Sequence, residues 1–169
     1  FKQKTAYEIM PSLVGSEMCI RDRLIAAVTA DGYIAKHSNE VVEWSLDLHL
    51  FKEQTMGCPI IMGANTKKTL KLNLSGRKEI VINRKDDPQE ILNNLNAKTC
   101  FVIGGGKTNT LFSSYLTHLY LTFHPLIFAK GIKLFTDLEN EMNLSLMKVL
   151  PVKNQKNLYQ FQYKVNRLK

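Results

Sequence analysis

A chain of 169 residues, 44% apolar and 22% charged, is sized for one domain with its own core, and that balance excludes intrinsic disorder. No stretch approaches the roughly 18 consecutive apolar residues of a membrane-spanning helix, and three scattered cysteines (Cys19, Cys58, Cys100) supply neither a disulfide framework nor a zinc spacing, which suits a reducing cytoplasmic setting. The formal charge of +8 comes from 23 Lys and Arg with no run of five, so it points less to nucleic acid than to an anionic small ligand.

Residues 1–23, FKQKTAYEIMPSLVGSEMCIRDR, have no signal-peptide architecture and no helical or strand period. The pieces KQKTAYEI and LVGSEMCIRDR look like translations of the two halves of a sequencing-library adaptor, and the chain opens on Phe1. The expected organisation is therefore a non-native or disordered extension over 1–23 and a single domain over 24–169. Lys2, Lys4, Arg21 and Arg23 against Glu8, Glu17 and Asp22 leave the extension at +1 and the remainder at +7.

From Leu24 the elements follow in order. Leu24–Thr29 is a buried strand ending at the turn Ala30-Asp31-Gly32. Trp44–Met56 predicts a helix with Ser45 as N-cap and Leu46, Leu50 and Phe51 on one face. Cys58–Met62 is a second strand, followed by Gly63 and a polar helix start at Asn65-Thr66. Glu79–Asn83 is a third strand, and Asp87-Pro88 opens a helix over Asp87–Asn96 with proline in its first turn. Thr99–Ile103 is a fourth strand running into Gly104-Gly105-Gly106, Thr108–Tyr115 a helix, and His118–Phe123 a fifth strand. Pro125–Phe135 is loop-like. Leu144–Pro151 and Asn157–Val165 predict a half-exposed antiparallel hairpin, the latter placing Leu158, Gln160 and Gln162 on one side and Tyr159, Phe161 and Tyr163 on the other. Strands alternating with helices imply one α/β domain with a mainly parallel sheet.

Ligands of open α/β sheets bind beyond the carboxyl ends of the strands. The turn Gly104-Gly105-Gly106-Lys107 brings backbone N–H groups and a helix start within reach of a phosphate, or else is simply a tight strand-to-helix turn. It is neither a P-loop, because Phe101 stands where the first glycine is needed, nor a G-x-G-x-x-G dinucleotide fingerprint, because Asn109 ends it. Asp47, near Trp44 and Phe51, suits protonation of a ring nitrogen, against the reading of a solvated helix-start acid stabilised by the dipole. Thr122 and His124 end the fifth strand; Arg77 and Arg84 flank the third, where a guanidinium can hold a carboxylate or phosphate through two bonds. No metal-ligand pattern is present.

The order of motifs is more specific than any one of them. IAAVTADGYIA, a Trp, D-L-x-x-F-K from Asp47 to Lys52, IIMGANT, L-S-G-R-K-x-I-V-I, VIGGGK and LYLT resemble the dihydrofolate reductase fold family over Leu24 to Phe135. LTFHPLIFAKGIKLF, ending in G-I-x-L-F at Gly131–Phe135, looks closest to the C-terminal reductase domain of bifunctional riboflavin-pathway deaminase-reductases; the deaminase signature itself is absent.

The resemblance implies an NADPH-dependent oxidoreductase with a mainly parallel central sheet, flanking helices and a C-terminal antiparallel hairpin. By position, Ala27, Ile34 and Ala35 line the nicotinamide pocket. Gly63, Asn65 and Thr66, with Gly104, Gly105, Gly106 and Lys107, cradle the pyrophosphate, while Asn83 and Arg84 lie near the adenosine 2′-phosphate. Ala64 stands where the family carries a basic residue. Asp47 matches the family's substrate carboxylate, Thr122 the hydroxyl that supports it, Phe51 a substrate contact and Arg77 the arginine that holds the folate tail. The implied reaction is riboflavin-type reduction of a ribosylaminopyrimidine phosphate, with dihydrofolate reduction as the alternative. A non-catalytic nucleotide- or RNA-binding module is the alternative motivated by the +7 charge. The implied partners are a small heterocyclic substrate and a second copy in a homodimer, with no nucleic acid and no membrane.

Overall fold

The computed structural model describes residues 21–167; the adaptor-like reading of residues 1–20 lies outside them. The chain forms β1 (Arg21–Thr29), β2 (Tyr33–Ala35), α1 (Leu48–Thr55), β3 (Ile60–Gly63), α2 (Ala64–Thr69), β4 (Glu79–Ile82), α3 (Pro88–Asn93), β5 (Thr99–Val102), α4 (Gly106–Phe112), β6 (His118–His124), β7 (Ile132–Lys133), β8 (Asn143–Pro151) and β9 (Tyr159–Asn166).

Seven strands make one sheet in the order β4-β3-β5-β1-β6-β9-β8, and β2 pairs with β7 in a two-stranded sheet. The first five are mutually parallel, while β9 runs antiparallel to β6 and β8 antiparallel to β9. The expected α/β architecture, parallel sheet and terminal hairpin are all present. The apolar strands have two covered faces because successive side chains alternate. One face gathers Leu24, Val28, Ile61, Val102, Leu119 and Leu121 beneath Leu92 of α3 and Phe112 of α4. The other gathers Ile25, Ile60, Met62, Phe101 and Tyr120 beneath Leu74, with Phe51 of α1 packed against them.

Several boundaries differ from expectation. β1 begins at Arg21, three residues before Leu24, because strand pairing uses backbone groups that every residue owns: Arg21, Asp22 and Arg23 stand opposite Thr99, Cys100 and Phe101. The side chains there adapt to burial. Cys100 Sγ donates to the Asp22 carboxylate at 3.0 Å, burial pushes that carboxyl above its ordinary value, and the Arg23 guanidinium lies 5.2 Å from the centre of the Tyr120 ring.

The helix expected over Trp44–Met56 shortens to α1, with Asp47 at its N-cap in place of Ser45. The helix expected over Thr108–Tyr115 moves to Gly106–Phe112, starting directly on the glycine turn. The segment expected as loop over Pro125–Phe135 contains β7, whose partner β2 lies a hundred residues earlier in sequence and therefore leaves no local pattern. Asp87 caps α3 as expected, accepting from the Gln89 N–H at 2.9 Å.

Candidate active site

The five parallel strands end on one edge of the sheet, and two glycine turns meet there. The Gly63 N–H donates to the Gly104 carbonyl at 3.0 Å, so the turn after β3 and the turn after β5 form one wall. A methyl group on Gly63 would stand 2.8 Å from Thr108 Oγ1 in α4, and one on Gly104 or Gly105 would approach Thr66 Oγ1 in α2. Gly104 also holds φ +119, a conformation open to glycine alone. The helices that start on this wall, α2 and α4, have glycine N-caps, no side-chain cap and no acidic residue in the first turn. Their leading N–H groups are therefore left for another acceptor, with exposed Lys107 beside them. Such a surface fits the pyrophosphate of a dinucleotide.

Asn83 and Arg84 follow β4 on the same edge, since Ile82 stands opposite Gly63. The Asn83 side chain accepts from the Lys85 N–H and its own N–H donates to Asp86, so it builds the local turn. Arg84 is exposed, and among the described residues the only ion pair is Lys67–Glu79, on α2 and β4. Ala27 stands opposite Thr122 across β1 and β6. Ile34 and Ala35 lie in β2, half-buried, with Ile34 packed on the core.

Asp47 and Thr122 are both buried, at 4% and 0% exposure. That overturns the reading of Asp47 as a solvated helix-start acid. Ser45 Oγ donates to the Asp47 carboxylate, and no cap bond consumes the carboxylate. His124 connects the two elements. Its Nε2 accepts from the Leu46 N–H at 3.0 Å, next to Asp47, and its Nδ1 donates to the Thr122 carbonyl at 2.9 Å. These two partners assign the hydrogen to Nδ1. His124 is thus a packed positioning imidazole.

Trp44 stands edge-on to both His124 and Phe128, with ring centres 5.2 and 5.3 Å away. Buried Trp44 Nε1 and Thr122 Oγ1 have no hydrogen-bond partner within the protein. Groups of that kind are costly to leave unpaired, and both belong to the elements that carry Asp47 and His124.

Arg77 follows the buried Leu74 loop and reaches the far end of α1. Its Nε donates to Thr55 Oγ1 at 2.8 Å, Nη2 to the Lys52 carbonyl at 2.6 Å and Nη1 to the Ser75 carbonyl at 2.9 Å. Three of five N–H groups are spent on holding the fork, and two remain. Phe51, half-buried on α1 between the two ends, packs on the second core cluster.

Asp31 is a contributor not singled out from sequence. It accepts from Thr29 Oγ1 and from the N–H groups of Phe128 and Ala129, tying the loop after β6 to the loop after β1. The hydrogen bond from Thr29 is the main reason its carboxyl sits below its ordinary value. The A-D-G turn was legible, but the partners lie some hundred residues away. Buried Asn109, whose Nδ2 donates to the Leu134 carbonyl while Oδ1 has no partner, was likewise seen only as a failed fingerprint position. Among the described residues no cluster of His, Cys, Asp or Glu could hold a metal, and no helix is long and apolar enough to cross a membrane.

The dihydrofolate reductase family model matches residues 23–166. Dihydrofolate reductase type 3 of Salmonella typhimurium is 31% identical over 114 residues, 59% of this chain and 69% of its own length. The dihydrofolate reductase of Bacillus subtilis is 32% identical over 58% of this chain and 66% of its own. Among solved structures, Enterococcus faecalis dihydrofolate reductase complexed with NADP(H) and RAB-propyl superposes with TM-score 0.70 at 19% identity, covering 87% of this chain and 97% of that one. A diaminohydroxyphosphoribosylaminopyrimidine deaminase/5-amino-6-(5-phosphoribosylamino)uracil reductase from Thermotoga maritima superposes with TM-score 0.69 at 16% identity, over 86% of this chain and 56% of that one. These two likenesses show a shared fold. The extent of the family match shows more: this chain belongs to the dihydrofolate reductase family, whose members are NADPH-dependent oxidoreductases.

Proposed function

We propose that the chain reduces dihydrofolate to tetrahydrofolate, in preference to the riboflavin-type reduction that the Gly131–Phe135 segment first suggests. One relationship carries this reading: α1 holds a buried carboxylate at its start and a braced guanidinium at its end. At 1.5 Å per residue the two lie roughly 10 Å apart along the helix. That spacing suits a substrate with a protonatable heterocycle at one end and a carboxylate tail at the other. Two curated relatives that match the chain, those of Salmonella typhimurium and Bacillus subtilis, bear the name of that activity.

Bound NADPH supplies a hydride, two electrons and one hydrogen, to the ring carbon of a C=N bond. The protein's residues do the rest. Asp47 binds the ring and assists delivery of a proton to the neighbouring nitrogen, so that the bond gains one hydride and one proton. Thr122 Oγ1, which has no partner within the protein, is offered to the bound substrate, while His124 holds strand and loop together. Arg77 offers its two remaining N–H groups to the tail carboxylate. Ala27, Ile34 and Ala35 flank the nicotinamide, and the Gly63 and Gly104–Lys107 turns with Asn65 and Thr66 hold the pyrophosphate. Arg84, beside Asn83, is the cation for the 2′-phosphate. A cytoplasmic location, suggested by cysteine usage, belongs to the same proposal.

The test is a substrate panel. Purified protein with NADPH and either dihydrofolate or the ribosylaminopyrimidine phosphate is followed by nicotinamide absorbance. Turnover of dihydrofolate is expected; turnover of the pyrimidine alone would restore the riboflavin-type reading.

A further inference from the structure

Polar grips place α1 more than burial does. Thr55 is its one fully buried residue, while Leu48 and the flanking Leu46 and Met56 stay exposed. Its start is held through the Leu46 N–H on His124, and one side of its end by Arg77 on Thr55 and Lys52. The other side of its end is held from β9. Gln54 Nε2 donates to Gln160 Oε1 at 2.7 Å, Gln160 Nε2 donates back to Gln54 Oε1 at 2.9 Å, and Gln162 Nε2 adds a bond to Gln160 Oε1 at 3.0 Å. Gln160 is fully buried, and a buried amide engaged at both its oxygen and its nitrogen is held in one orientation. Gln160 also stands directly opposite Thr122, whose neighbour on β1 is Ala27. Residues so paired share a sheet face, with Cβ atoms about 5 Å apart. The Gln160 amide nevertheless turns to α1, and Thr122 Oγ1 has no partner within the protein.

We infer, on the proposed role of Asp47, that the Gln54–Gln160 pair is a positioning device for the reaction. It fixes α1 against the row Ala27–Thr122–Gln160 and so sets how Asp47 approaches the substrate ring. Asp47, Phe51 and Gln54 recur at i, i+4 and i+7, one stripe of the helix, so a tilt at Gln54 carries Asp47 with it. Stability alone does not call for this pair. Glutamine is seldom fully buried, and replacing both partners of a buried hydrogen bond by apolar groups of like shape is nearly neutral. Apolar contact would still cover the helix, but it is non-directional and does not fix an angle as two opposed amide bonds do. Angle and distance are what the reacting atoms require: a misplacement of about 1 Å lowers a rate by about a hundredfold.

The test is the double variant Gln54→Met/Gln160→Met, which removes both amides at nearly constant shape and leaves neither without its partner. Rates are measured with whichever of dihydrofolate and the ribosylaminopyrimidine phosphate the unmodified chain reduces, so the substrate assignment does not affect the result. The double variant should keep the folded circular-dichroism spectrum and its NADPH affinity by nicotinamide titration, and lose about tenfold to a hundredfold in kcat. Gln54→Glu, at a half-buried position, keeps the acceptor of the pair without its donor and should fall in between. In an Asp47→Asn background the two methionines should lower kcat less than about twofold further, because the group that they misplace is gone. A pair that only stabilises the fold gives losses that multiply instead. An unimpaired double variant, multiplying losses or an equal loss of NADPH affinity would overturn the inference and leave the role of Asp47 standing. An undiminished rate in Asp47→Asn alone would overturn both.

Discussion

The Gly63 N–H donates to the Gly104 carbonyl across 3.0 Å, so two turns that lie forty residues apart in sequence become a single wall. They meet because β3 and β5 are parallel neighbours whose carboxyl ends coincide, the edge at which ligands of open α/β sheets bind. The close approach has a cost in tolerance, since Thr108 Oγ1 occupies the space a Gly63 side chain would need.

Gly63→Ala should therefore force α4 away from β3, lowering stability by about 1–3 kcal/mol and weakening NADPH binding. Adding Thr108→Ala should recover most of the stability, because the clashing oxygen is gone. A double-mutant cycle in denaturant melts checks the coupling, and additive losses would mean that the two residues do not compete for space.

Asp47→Asn removes the carboxylate while keeping its shape. Turnover of dihydrofolate should drop by at least about tenfold, as expected for loss of a group that assists proton delivery. NADPH affinity should be unchanged, because the glycine wall is separate from α1. Steady-state rates alongside nicotinamide titration make the comparison; an undiminished rate would remove Asp47 from the chemistry.

Arg77→Leu deletes the two N–H groups proposed for the tail carboxylate. The expected result is a rise in KM for dihydrofolate of about tenfold to a hundredfold, the worth of a charge-assisted pair. A pterin substrate without the tail should show no such change. Because Arg77 also braces Lys52 and Thr55, a modest loss of stability should accompany the variant.

His118 supplies a pH-dependent prediction. Burial, followed by the nearby Arg23, Arg21 and Lys164 charges, holds its folded-state pKa below the ordinary 6.5. The unfolded chain then binds the proton more readily, so stability is full above pH 6.5 and falls as the pH drops through that value. His118→Gln should flatten this fall in denaturant midpoints measured on either side of pH 6.5. Asp22 acts with the opposite sign, since its raised pKa lets the folded state take up a proton first as the medium becomes more acidic.

The order of motifs determined the family and the mainly parallel sheet, because turn chemistry and apolar runs are local and survive in a linear string. Three matters were decided only by the tertiary structure. Asp47 is buried, beside a Leu46 N–H held by His124, and a single helix-start acid looks the same in sequence whether wet or dry. The pairing of β2 with β7, and Asp31's hold on Phe128 and Ala129, join residues about a hundred positions apart, beyond the reach of any periodicity. In β9 the alternation was plain, but which side faced inward was not. Gln160 turns in because Gln54 of α1 satisfies its amide, while on the other side Tyr163 packs on the core and Tyr159 is exposed.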